Sequence, residues 1–280
     1  MIGKMGWQHD GPDNRDYHMS TPEVSVLVYP ALEKYAPIPE PRPRKMDLLK
    51  WSPQIENQGL QDCTANAGIR IWELFNRKVG INYSQFSRRF LYKMTRVLMG
   101  LYGDTGATLR DTMKAMAKYG VPEEVFWPYD VAAYNATIPG DVFEEATKHQ
   151  ALVYYRLDPP GQPASRTVVQ VKRFLAAELP SMLGFAVYSS IPQIGDGRCD
   201  IPFPQPGDKI LGYHAVDIEG YDDDRQIGPD LGAYMIANSW SVNWGDQGYG
   251  WLPYRYILDG QACDIWSMVL AEKSKGAQAT

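Results

Sequence analysis

Residues 55–75 read Ile55-Glu-Asn-Gln-Gly-Leu-Gln-Asp-Cys-Thr-Ala-Asn-Ala-Gly-Ile-Arg-Ile-Trp-Glu-Leu-Phe75, a turn followed by a helical pattern. Gly59 permits a tight backbone turn, and Asp62 is suited to cap a helix N-terminus. Ala67, Ile71, Leu74 and Phe75 then recur at the spacing of one buried helical face. Cys63 therefore falls in the first turn of a helix, where unpaired amides and the positive end of the dipole favour a thiolate over a thiol. A lone cysteine in such a place is more often a small packing residue than a nucleophile. Two later stretches change that balance.

Gly212-Tyr-His-Ala-Val-Asp-Ile-Glu-Gly-Tyr221 alternates apolar residues as a strand does and carries His214 near its start. Tyr234-Met-Ile-Ala-Asn-Ser-Trp-Ser-Val-Asn-Trp-Gly-Asp-Gln-Gly-Tyr-Gly-Trp251 is a strand running into a glycine- and tryptophan-rich loop. With Gln58-Gly59 and Cys63, these stretches resemble the papain family of cysteine peptidases, whose order along the chain is Gln, Cys, His, Asn. His214 follows Cys63 by 151 positions and Asn238 follows it by 175 (214 minus 63, 238 minus 63). Loop insertions account for the excess over the ~130–150 of plant and lysosomal relatives.

The resemblance implies an α+β, two-lobed papain-like fold, with a helical lobe, an antiparallel β-barrel-like lobe and the active-site groove between them. It implies a cysteine endopeptidase that needs no cofactor and takes a peptide or protein substrate. Cys63 would attack the peptide carbonyl, and His214 would hold the thiolate as an imidazolium before protonating the leaving amine. Asn238 would orient the imidazole, with Trp240 shielding that hydrogen bond from water. Gln58 and the Cys63 amide would donate to the oxyanion. Thr105 and Gly106, in the turn 103–110, would pair with an extended substrate backbone, since close approach requires a small side chain. Trp240 and Trp244 complete the expected substrate-binding set.

Three departures qualify the activity. Gln58 to Cys63 is five positions (63 minus 58) where relatives usually have six, so the loop moves Gln58 off the oxyanion position, leaves Gln61 as its substitute, or absorbs the missing residue in the turn. Asp62 stands where a small serine is usual, and its carboxylate would raise the thiol pKa unless its charge is consumed as the helix cap. Ser241 replaces the glycine that normally follows Asn-Ser-Trp. The alternative reading is therefore a papain-fold binding or structural module with weak or lost catalysis. A thiol amidase or transpeptidase would keep the chemistry and change the reaction.

The remaining composition is that of an ordinary globular protein, with 44% hydrophobic and 22% charged residues over 280 positions. A net charge of −5 without a basic cluster leaves no electrostatic footprint for nucleic acid or an anionic membrane. No apolar run approaches the ~20 residues that span a bilayer, and the N-terminus lacks the apolar core of a secretory signal. A cytoplasmic protein, or one exported without a Sec signal, is expected. Cys63, Cys199 and Cys263 are too few for a disulfide framework, and whether Cys199 and Cys263 pair stays open. Leu60, Gln61 and Asp62 fill the place of the extra cysteine that secreted relatives carry.

Four segments are expected. Residues 1–45 form an extension containing Trp7-Gln-His-Asp-Gly-Pro-Asp-Asn-Arg-Asp16 and a stiff proline-rich linker, Pro37 to Arg44; it wraps the surface as scaffolding or lies across the groove and inhibits the enzyme. Residues 46–135 form a mainly helical lobe with the nucleophile, ending near Trp127-Pro-Tyr-Asp130. Residues 136–272 form a β-rich lobe with the histidine and asparagine, including helices over 142–148 and 168–179 and strands over 151–157 and 181–190. Residues 273–280 form a polar tail. Asp222, Asp223 and Asp224 read as a solvated hairpin loop, and His9, His18 and His149 lack companions at metal-ligand spacing, so no metal site is expected.

Overall fold

A computed structural model of the chain describes residues 2–22, 24–26, 29–30, 41–81, 85–150 and 153–269. Most of the expected linker, the start of the strand expected over 151–157 and the C-terminal tail lie outside these residues.

The N-terminal residues begin with a short strand, β1 (Trp7–Gln8), and β2 (Lys45–Asp47) follows. Three helices then pack together: α1 (Cys63–Lys78), α2 (Arg88–Leu98) and α3 (Leu109–Tyr119), the last preceded by β3 (Ala107–Thr108). α1 is buried from Cys63 to Asn76, so it is a central helix and not a surface one. Gly68 is where its neighbours come closest: a Cβ there would lie 3.0 Å from Thr112 and 3.2 Å from Leu91. Ser87 caps α2 by accepting from the Phe90 amide at 3.2 Å, and Thr108 caps α3 by accepting from the Asp111 amide at 3.0 Å.

The rest of the chain supplies α4 (Gly140–Ala146), β4 (Val153–Arg156), α5 (Ala164–Ala176), β5 (Ser181–Tyr188), β6 (Ile210–Ile227), β7 (Asp230–Ala237), β8 (Tyr249–Pro253), α6 (Arg255–Leu258) and β9 (Ala262–Val269). Their strands form an antiparallel sheet in the order β4-β9-β5-β6-β7-β8, with β2 added on β6. α5 starts four residues before the expected 168 because Pro163 sets up its first turn, its carbonyl accepting from the Arg166 and Thr167 amides. It stops at Ala176, and Glu178 then takes a positive φ of 59°.

The aspartates at 222–224 are not in a hairpin loop. They belong to β6, which runs on to Ile227 and turns only at Gly228, and they are neutralised one by one: Asp222 by Lys45 at 3.0 Å, Asp223 by Lys172 at 2.6 Å and Asp224 by Arg44.

Among the described residues no helix is long and apolar enough to cross a membrane. A single apolar core joins the helices to the sheet, and α1 lies against β6. Cys63 is the first residue of α1 and His214 the fifth residue of β6.

Candidate active site

Cys63 opens α1 and is fully buried. Asp62 occupies the N-cap position, but its side chain makes no cap bond, so its charge is not consumed there as expected. Its Oδ2 instead accepts from the Tyr129 hydroxyl at 2.8 Å, and that hydroxyl accepts from the Gly59 amide at 2.9 Å. Tyr129 thus ties both ends of the short loop before the cysteine, a role invisible in its Trp-Pro-Tyr context. Burial pushes the Asp62 carboxyl up to about 6, against the pull of the Tyr129 bond and the Arg88 guanidinium.

Burial also pushes the Cys63 thiol up to about 12; the amides of Ala215, Gly6 and Thr64 oppose this and the Asp62 carboxylate adds to it. His214, one residue before Ala215, is fully buried and pushed down to about 4 by that burial, with its bond to Asn238 opposing. Its Nε2 donates to Asn238 Oδ1 at 2.8 Å, and the same oxygen accepts from the Ser239 amide at 2.8 Å. The other ring nitrogen, Nδ1, has no hydrogen-bond partner. Trp240 stacks on the imidazole with centroids 4.5 Å apart and planes 23° from parallel, while Phe185 meets its edge at 6.0 Å. Trp244 stands edge-on behind Trp240, fully buried, with its indole N–H on the Pro192 carbonyl at 2.9 Å. Ser241 takes a φ of 70°, the left-handed conformation for which a glycine is the easier residue.

Gln58 lies beside Asn238 in space: its amide N–H donates to the Ser239 carbonyl at 2.9 Å and its Oε1 accepts from the Ser239 hydroxyl. Its Nε2 donates to the Leu60 carbonyl at 2.9 Å, leaving one further N–H. Gln61 faces away, its Nε2 on the Asp104 carbonyl at 2.6 Å.

Residues 3–8 cover this constellation. A Cβ on Gly3 would fall 2.2 Å from Trp240 Cδ1, and the Trp240 indole donates to the Lys4 carbonyl at 2.7 Å. Gly6 donates to the Tyr213 carbonyl at 3.2 Å and accepts from the Ala107 amide at 2.9 Å. β1 then pairs in parallel with β3, and Gln8 donates to the Thr105 carbonyl at 2.8 Å. Gly106, with φ of 77°, would bring a Cβ to 2.1 Å from the Gly6 carbonyl oxygen. The turn expected to pair with a substrate therefore pairs with the chain's own N-terminal residues. Trp7 fills the space over Gly184, where a Cβ would fall 2.0 Å from the indole.

The motif that follows anchors the segment. The Asp10 carboxylate accepts from the Arg110 amide in the first turn of α3 at 3.2 Å and from the Trp266 indole at 2.9 Å. Asp16 accepts two bonds from the Arg110 guanidinium, at 2.7 and 2.6 Å. Asp13 and Arg15 close the exposed turn between them. Residues 10–16 are thus tied to α3 and Trp266, and residues 3–8 to Trp240, Tyr213 and β3.

In space, His9 lies with Cys263 and Asp264, and His149 lies with Glu123 and with Glu145, its i,i+4 neighbour on the chain. His18 bonds to the Ser20 hydroxyl at 2.8 Å. Cys63, Cys199 and Cys263 are all free thiols.

The family profile described as papain family cysteine protease matches residues 71–272, a span containing His214 and Asn238. An uncharacterized peptidase C1-like protein of Acanthamoeba polyphaga mimivirus is 30% identical over 219 residues, covering 76% of this chain and 68% of that protein. Peptidase 1 of Psoroptes ovis is 26% identical over 235 residues, covering 82% of this chain and 65% of the relative. This chain thus spans about two thirds of the length of each. Among solved structures, xylellain, a cysteine protease from Xylella fastidiosa, is similar with a TM-score of 0.78 at 29% identity, over 96% of this chain and 97% of that one.

Proposed function

The chain belongs to the papain family of cysteine proteases, and from that premise we propose that it hydrolyses internal peptide bonds with Cys63, His214, Asn238 and Gln58, and that residues 3–8 hold it inactive until displaced. The observation that carries the reading of the site is the ring assignment of His214. Nε2 is held by Asn238 under the Trp240 shield, and Nδ1 is left without a partner while the neighbouring Ala215 amide reaches the cysteine sulfur.

Once the segment leaves, Cys63 passes its proton to His214 Nδ1, and the thiolate attacks the substrate carbonyl carbon. The resulting oxyanion accepts from the Cys63 amide and the spare N–H of Gln58. The carbon–nitrogen bond breaks as His214 returns its proton to the departing amine, leaving a thioester on Cys63. A water, deprotonated by His214, then attacks the thioester; the carbon–sulfur bond breaks, releasing the acid and restoring the thiol. Thr105 and Gly106 would pair with the substrate where they now pair with residues 6–8. Trp240 would border the leaving-group side, and Trp244 would brace it from behind.

The segment would inhibit because residues 3–8 lie over Trp240 and Gly106, where a substrate would lie. It also dehydrates the pair, so that thiol and imidazole are both neutral when covered. The test compares the intact chain with one lacking residues 2–9 on a mixed peptide substrate and with an electrophilic thiol reagent. Rapid hydrolysis and His214-dependent labelling of Cys63 in the shortened chain are expected. A folded shortened chain that cleaves nothing, with labelling indifferent to His214→Ala, overturns the reading and favours a binding module.

A further inference from the structure

The N-terminal segment also meets β9, where the Asp10 amide donates to Asp264 Oδ2 at 2.6 Å. There His9, Cys263 and Asp264 each offer one ligand atom, and the three atoms lie within 4.8 Å of one another. We propose that His9, Cys263 and Asp264 bind a divalent cation of the zinc class, tying the N-terminal segment to β9.

The donor set is one imidazole nitrogen, one sulfur and one carboxylate oxygen, which suits a borderline-soft ion with water in the fourth position. His9 is exposed and Cys263 half-buried, so an ion can enter from solvent, while the buried Asp264 gives the site a fixed floor. Asp264 is oriented from behind: Arg156 Nη2 donates to its Oδ1 at 2.6 Å and the Asp10 amide donates to its Oδ2 at 2.6 Å. A carboxylate has about four acceptor positions, so two remain for the ion.

The backbone supports the same reading. Successive residues of a regular strand point to opposite faces, which would separate Cys263 from Asp264. Here Asp264 has a φ of 54°, at the register shift where β9 pairs with β5 between Met182 and Gly184. That left-handed residue brings two neighbouring side chains to one place, a strained geometry of the kind that persists at binding sites. Around the site four carboxyls, Asp10, Asp16, Asp158 and Asp264, share the two guanidiniums of Arg110 and Arg156. Binding replaces the Cys263 thiol proton, which is released to solvent, and forms metal bonds to sulfur, nitrogen and oxygen.

The regulatory consequence, a segment clamped over the groove by metal, rests on the reading that residues 3–8 inhibit; the binding itself does not. The test titrates cobalt(II) into the full chain carrying Cys63→Ser and Cys199→Ser, so that Cys263 is the one thiol left. A thiolate-to-cobalt charge-transfer band saturating at one equivalent is expected, displaced by zinc, lost on Cys263→Ser and weakened at least about tenfold by His9→Ala. His9 is exposed, so that variant folds. No band, or a band indifferent to His9→Ala, overturns the site. If the band is present but removing residues 2–9 from the chain that keeps Cys63 leaves its activity unchanged, the site stands and only its regulatory consequence falls.

Discussion

Arg70 Nε lies 2.6 Å from Glu219 Oε1, and Nη2 lies 3.2 Å from Oε2, joining the helix that starts at Cys63 to the strand that carries His214 through a buried ion pair. Asp217 Oδ2 stands 3.9 Å from Nε, and Tyr249 and the carbonyls of Pro53 and Gln54 also hold the guanidinium. Arg70→Met leaves Glu219 buried with Ser52 as its remaining hydrogen-bond donor, and a broken buried pair typically costs ~3–5 kcal/mol. Urea unfolding of the variant should show a loss of that size, and Arg70→Met with Glu219→Leu should be less damaging than the single change. A single-variant loss below about 1 kcal/mol would place the pair outside the stabilising contacts.

Covering of the groove depends on glycines that admit no side chain. A Cβ on Gly6 would lie 2.1 Å from the Gln61 carbonyl oxygen, and one on Gly184 would enter the Trp7 ring. Overpacking of this kind costs ~1–3 kcal/mol, enough to shift the covered population by about fivefold to a hundredfold. Gly6→Val and Gly184→Ala should therefore raise the initial rate on a fluorogenic peptide. Rates equal to the unsubstituted chain count against inhibition by the segment.

In the intact chain burial holds the Cys63 thiol up at about 12 and the His214 imidazole down at about 4. A raised thiol pKa leaves about 10⁻⁵ of the sulfur ionised at pH 7, a fraction that grows about tenfold per pH unit. Alkylation of Cys63 by iodoacetamide should follow that slope between pH 6 and 9. Without residues 2–9 the pair is rehydrated and alkylation should be fast at neutral pH, falling only as acid protonates the thiolate. A flat profile for the intact chain contradicts the assignment.

Asn238 orients and does not make bonds to the substrate, so Asn238→Ala should lower turnover less than His214→Ala, while Cys63→Ala abolishes it. Equal losses at 214 and 238, measured in the chain lacking residues 2–9, would give the two residues the wrong roles.

The same shortened chain separates the two glutamines. Gln58 is braced by Ser239 with one N–H to spare, whereas Gln61 is bound to Asp104. Gln58→Ala should reduce turnover by roughly tenfold to a thousandfold with little change in KM, and Gln61→Ala should do much less. A larger loss at Gln61 would mean that the shortened loop has changed which side chain faces the oxyanion.

The nucleophile helix, the strand of His214, the strand of Asn238 and the order Gln58, Cys63, His214, Asn238 were all legible in the sequence. The helix and the strands rest on local period, and the order of the four residues rests on the resemblance to the family. The tertiary structure alone decided that Asp62 bonds to Tyr129, that Gly6 meets Cys63, and that His9 stands beside Cys263. These contacts join residues 67, 57 and 254 positions apart (129 minus 62, 63 minus 6, 263 minus 9). No periodicity links such residues; they meet because the helices and the sheet share one core, whose packing selects which surface groups converge and which lose their water.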